Sequence, residues 1–185
     1  MFQKTSSFNL PVSLAAPIPI LIFIGLSLLS FSIPFSLGHP QWLVGTIVNA
    51  CLFLTAIFLP RKFILPLIIF PSLGVLSRGI IFGPLTMLLV YFLLFIWLAN
   101  LVLILVFKKF FSHLNYFSSV FLAATAKSLF LFTIANVYFQ LSLAPKIFVQ
   151  LMGLNQFFTA LAGGIISWII FSFYEKYNSR NKKTA

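Results

Sequence analysis

Carboxylates are all but missing from this 185-residue chain: against twelve Lys and Arg it holds one acidic side chain, Glu175. That absence removes the paired acids of glycoside hydrolysis, the oxygen cage that Mg²⁺ or Ca²⁺ needs, and any Asp to orient a catalytic His. Cysteine is equally scarce. A lone Cys51 cannot form an internal disulfide, an iron–sulfur cluster or a thiolate zinc site, and it leaves the redox compartment open. Charge of either sign is thin, with 7% of residues charged against 61% hydrophobic, too little polar cover for a water-soluble surface. The chain also lacks a phosphate-binding glycine loop, a long linker, an internal repeat and a low-complexity segment.

What is present is a series of long apolar runs separated by cations and prolines. A membrane helix needs roughly 20 apolar residues. Six runs approach or exceed that: from about Pro17 to Leu37, Trp42 to Leu59, Phe63 to about Phe82, Leu85 to Phe107, Phe117 to Ala144, and within Ile147 to Tyr174, chiefly from Asn155 onward. The expected fold is therefore all-α, a polytopic bundle of about six transmembrane helices over 1–177 with a short basic tail at 178–185. The third run is interrupted by Pro66, Pro71, Gly74 and Gly79 and is expected to be bent or partly re-entrant, and buried among neighbours that satisfy its freed carbonyls. Gly83 and Pro84 should end it, as Pro145 should end the fifth.

The net charge of +11 sits in single or paired cations between apolar runs, a topology signal and not a nucleic-acid footprint. With a cytoplasmic N-terminus, Lys4, Arg61, Lys62, Lys108, Lys109, Lys176, Arg180, Lys182 and Lys183 fall inside, Arg78 and Lys146 outside, and Lys127 within a span. The positive-inside bias thus predicts both termini in the cytoplasm, and a multi-pass location in the plasma membrane is expected. The alternative of a cleaved secretory signal, with Ser36 and Gly38 before the cut, is disfavoured by an apolar stretch longer than about 7–15 residues and by Pro40.

Lys127 is the most informative residue. An ammonium near mid-membrane costs at least about 2.5 kcal/mol and normally faces protein. Glu175 is expected at the cytoplasmic end of the last helix, so no carboxylate can meet it. Three routes remain: loss of its charge by desolvation, snorkelling to the inner interface, or an anionic group from outside the chain. Val120, Ala123, Ala124, Leu131, Ile134 and Tyr138 share its helical face, and the small ones permit close packing. Asn49, Arg78, Tyr91, Asn136, Tyr138, Gln140, Asn155 and Gln156 fall in the outer half, with Asn100 deeper, which suggests an outward-facing pocket. Candidate ligand contacts are Lys127, Asn49, Asn136, Gln140 and Gln156, with Arg78 near the mouth; interhelical contacts are the plainer reading of each amide. Asn136 and Gln140 lie roughly opposite Lys127 on the helix and need not share its site. Ala160 and Gly164 form a small-xxx-small pair suited to helix packing. His39 and His113 fall on opposite sides of the membrane, so no metal site is expected, and no resident cofactor. Trp42 and Trp168 are placed as interfacial anchors.

In size, layout and local wording the chain resembles the substrate-binding S components of energy-coupling-factor vitamin transporters. The wording is Val44-Gly45-Thr46-Ile47-Val48-Asn49-Ala50 in the second run, Ala126-Lys127-Ser128-Leu129-Phe130 in the fifth, and Asn155-Gln156-Phe157-Phe158-Thr159-Ala160-Leu161-Ala162-Gly163-Gly164 in the sixth. The resemblance spans most of the bundle. It implies six helices, capture of a micronutrient at an outward-facing site, and partners in the form of a transmembrane T subunit and ATP-binding subunits, with the lipid bilayer around them and no enzymatic activity of the chain's own. In such proteins the first helix meets the T subunit through an alanine-xxx-alanine seam; here the nearest equivalent is Ser32 and Ser36 around Pro34, a departure that bears on docking. Two rival classes stand beside it. One is a structural or assembly protein whose polar residues only lock helices together; the other is a lipid-headgroup enzyme using His39 or His113 as base and Lys127 as electrophile, for which no oriented acid–base pair can be assembled.

Overall fold

The computed structural model describes residues 18–37, 39–82 and 90–184. Its helices are α1 (Ile18–Leu37), α2 (Gln41–Phe58), α3 (Ile64–Phe82) after a 3-10 turn at Arg61–Phe63, α4 (Leu93–Phe111), α5 (Tyr116–Gln140), the short α6 (Ile147–Met152) and α7 (Leu154–Thr184). No strand occurs among the described residues, and six segments are long and apolar enough to cross a membrane, the last combining α6 and α7. Lys4, Pro17, Gly38, the Gly83-Pro84 stop and Leu85 lie outside the described residues.

Local chemistry explains most of the boundaries. Leu59, forced into extended backbone by Pro60, ends α2. Asn115 caps α5, its Oδ1 accepting from the Ser118 backbone N–H at 2.9 Å. At the other end α5 stops four residues short of the expected Ala144. Ser142 adopts a left-handed φ of 57°, while its own N–H and that of Leu143 bond back to the carbonyls of Phe139 and Tyr138. The third span is one continuous helix from Ile64 to Phe82 with Pro71 inside it, not a re-entrant loop. Gly153 divides α6 from α7, and α7 continues through Tyr174 and the expected tail as helix to Thr184.

Helix α2 is the axis of the bundle, with every residue from Val48 to Leu59 buried. A helix apolar all round belongs inside. α7 packs along it, α1 and α4 flank it, and the pairs α1–α3, α4–α5 and α5–α7 complete the assembly. Glycines set three of these contacts. A Cβ on Gly163 would lie 2.7 Å from the backbone of Thr46 and Ala50 in α2, one on Gly164 would lie 2.3 Å from Val120 in α5, and one on Gly74 would lie 2.3 Å from the Phe31 carbonyl of α1. Ala160, between Gly163 and the start of α7, is fully buried. The outward faces of α1, α3, α4, α5 and α7 carry Leu28, Leu65, Leu105, Phe121 and Phe173, all exposed, a surface suited to lipid and not to water.

Candidate functional site

Successive antiparallel helices give the bundle two ends. The Arg61–Phe63 turn, Lys108 and Lys109 of α4, and Lys176 and Arg180 of α7 gather at one; Trp42 at the start of α2 marks the other. A cavity of about 130 Å³ opens in the Trp42 half. Its walls combine the last turns of α1 (Pro34), the first half of α2 (Gln41 to Asn49), α3 from Pro71 to Val75, α4 from Leu93 to Asn100, and Met152 to Thr159 across the α6–α7 break, with Lys127 of α5 beside them.

The two in-helix prolines, Pro34 and Pro71, both line this cavity and are both buried. Each lacks the N–H that would close a helical bond to the fourth residue back, so each leaves one carbonyl of its helix without that bond. Beside Pro71, Ser72 accepts a hydrogen bond from Trp97 Nε1, which ties α3 to α4 along the wall.

Lys127 stands midway along the 25-residue α5 and is 3% exposed. Its partners are amide oxygens of the chain itself, which none of the three routes open in the sequence included. Nζ donates to Asn49 Oδ1 at 2.7 Å and to Asn100 Oδ1 at 2.8 Å, joining α5 to α2 and α4. Both amides are oriented by what lies behind them. Asn100 Nδ2 donates to the Ile68 carbonyl at 3.1 Å. Asn49 Nδ2 donates to Thr159 Oγ1 at 3.2 Å, and that hydroxyl donates to the Gln156 carbonyl at 3.2 Å. A backbone carbonyl only accepts, so both relays run away from Lys127 and turn two carbonyl dipoles toward its nitrogen.

Of the other residues expected at a site, Gln156 lines the cavity and Arg78 does not. Arg78 Nη1 donates to the carbonyls of Phe35 at 3.2 Å and Ser36 at 2.8 Å, closing the end of α1. Asn136 and Gln140 lie in the last turns of α5, half-buried and exposed respectively, and neither reaches the cavity. Ser32 and Ser36 are exposed on α1. Ala160 and Gly164 lie in the α7 packing seams described above, away from the cavity lining. Trp42 is 62% exposed at the cavity mouth. His39 and His113 are exposed at opposite ends of the bundle, and no group of three His, Cys, Asp or Glu gathers among the described residues.

Asn100 and Thr159 are the partners that sequence reasoning did not assign. Asn49 and Asn100 sit at matching depths, about two turns into α2 and α4, a coincidence visible once the helix starts are known. No family model matches the chain, and no curated protein or solved structure matches it either.

Proposed function

We propose that this chain captures a small molecule from outside the cell and presents it for uptake, in the manner of an energy-coupling-factor S component, with a T subunit and ATP-binding subunits supplying the energy. The observation that carries the reading is the cavity: a mostly apolar pocket with Lys127, Asn49 and Asn100 in its lining, within the half farthest from the clustered cations. The positive-inside bias makes that half the outer one, with both termini cytoplasmic in the plasma membrane. A bundle with one carboxylate also lacks the acids on which proton-coupled carriers generally rely, which favours an external energy source.

A second reading has its own support, because Lys127, Asn49 and Asn100 pin α2, α4 and α5 together whether or not anything enters the cavity. In that case the chain is a structural or assembly component of the membrane. One purification separates the two. Tagged protein taken from its native host in mild detergent should carry a stoichiometric metabolite and co-purify with a membrane subunit and ATPases. Recovery of neither, under conditions that keep a known S component loaded and assembled, favours the structural role.

A further inference from the structure

We infer that the cavity takes a monocarboxylate with a small apolar body, its carboxylate seated on Lys127. This deepens the uptake reading and rests on it for biological purpose, but the binding chemistry stands on the geometry alone.

As an ammonium, Lys127 offers three N–H donors. Two are spent on Asn49 and Asn100, and the third has no partner among the described residues. Both amides are fixed with their oxygens toward the nitrogen and spend one Nδ2 hydrogen on Thr159 or on the Ile68 carbonyl, so the hydrogen each has left is, like the third of the ammonium, a donor that calls for an acceptor. Whatever meets Lys127 inside the cavity must therefore accept a hydrogen bond. Neutral dipoles spread the lysine charge but do not cancel it, and Glu175, the chain's only carboxylate, is exposed on the far part of α7. A buried ammonium is stabilised most by a full opposite charge within hydrogen-bonding distance.

Charge number and size narrow the class further. Lys127 is the only cation on the described cavity lining, because Arg78 is turned to the α1 carbonyls. One negative charge is therefore matched and a second is not. Val48, Val75, Ile96 and Met152 supply apolar walls between Lys127 and the mouth, where Asn155 and Gln156 offer side-chain amides. The volume of about 130 Å³ is close to the roughly 150 Å³ of an engineered cavity that binds benzene. It accommodates a carboxylate on one six-membered ring, with any further group directed to the mouth.

Three probes of one shape isolate the charge: benzoate, benzamide and benzamidine, titrated into full-length protein in nanodiscs and followed by calorimetry. We expect benzoate to bind about tenfold more tightly than benzamide, and benzamidine not to bind. Lys127→Met should abolish the preference for benzoate while the protein remains monodisperse and helical. A second variant, Val75→Phe, fills the cavity without touching the lysine network and should reduce benzoate binding at least about tenfold. Benzamide binding as well as benzoate, no benzoate binding at millimolar concentration, or benzoate affinity unchanged in a folded variant of either kind would each overturn the inference. A neutral or cationic metabolite co-purifying at stoichiometry overturns the carboxylate assignment and leaves the uptake reading intact; benzoate selectivity in a protein that carries no transporter partner does the reverse.

Discussion

The two halves of the bundle each bury a polar cluster, and they differ in what surrounds it. Toward the Lys108 end, Tyr116 donates to the Gly164 carbonyl at 2.9 Å and shares a hydrogen bond with Ser167, tying α5 to α7. Phe107 and Phe111 pack against the Tyr116 ring, with centroids at 5.5 and 5.6 Å, and Phe171 extends the layer from Phe111. Aromatic edges and faces fill that half. Toward the Trp42 end, Lys127 and its amides sit beside a cavity that Pro34 and Pro71 also line. A buried polar cluster enclosed by rings serves as a tie between helices. The same kind of cluster bordering a void holds hydrogen-bonding capacity in reserve, and only the second has room to recognise anything.

Removing an acceptor from the lysine should have the largest effect. Asn100→Leu leaves Lys127 with one amide and little else, and we expect a loss of about 3 kcal/mol, because withdrawing one partner from a buried charge costs more than withdrawing the charge. Lys127→Met should cost less than about 2 kcal/mol, since an apolar chain of similar volume replaces the ammonium. The pair of variants and their double mutant form a cycle, read by thermal unfolding in detergent. Equal costs for the two single changes would mean that Lys127 is not held as a charge.

Close packing of α7 on α2 behind Asn49 carries the next largest effect. Gly163→Ala brings a methyl to 2.7 Å from the α2 backbone, contacts that cannot be relieved by a side-chain rotation. We expect about 2 kcal/mol of destabilisation and a looser α2–α7 seam. Gly25→Ala is the control, because nothing lies within 4 Å of its added Cβ. If both variants melt alike, the close approach of α7 to α2 is not what holds the bundle axis.

How far the sequence carried depends on which signals are local. Run length and hydropathy placed six spans, since the membrane imposes its thickness on each run separately. Prolines were a poorer guide. Pro60 does end α2, but Pro71 lies inside a continuous α3, and α5 ends at Gln140, five residues before Pro145, where the chain turns through Ser142. A serine in left-handed backbone carries no glycine to announce it. The burial of Lys127 was legible from its cost in a membrane; its partners were not, because Asn49 and Asn100 lie 78 and 27 residues away and become neighbours only when α2, α4 and α5 pack. Gly163 was read within an apolar string, although it meets the α2 backbone more closely than Gly45 meets Thr159.

Within the enclosed cluster, Tyr116→Phe should cost about 1 kcal/mol, the net worth of an ordinary hydrogen bond, because Ser167, 3.0 Å from the Gly164 carbonyl, is then free to donate to it. Probe binding in the other half should be untouched. A change in benzoate affinity in this variant would show that the two halves are coupled through α5 and α7, which both clusters share.

Arg78 gives the finest test, since it and Lys127 are the cations of the Trp42 half that contact other helices through hydrogen bonds, and the structure gives them different tasks. A guanidinium on the last carbonyls of α1 satisfies acceptors that the helix leaves open and complements the negative end of its dipole. Arg78→Gln should therefore lower the melting free energy by about 1 kcal/mol and loosen α1 against α3. Benzoate affinity should stay within about twofold of the unaltered protein, because at 0.15 M ionic strength a charge outside the cavity acts mainly on encounter. The discriminating readout is the ratio of benzoate to benzamide affinity. A ratio that collapses in Arg78→Gln would move the selecting charge from Lys127 to Arg78, the residue the sequence had placed near the mouth, and would leave Lys127 as a tie between helices like Tyr116.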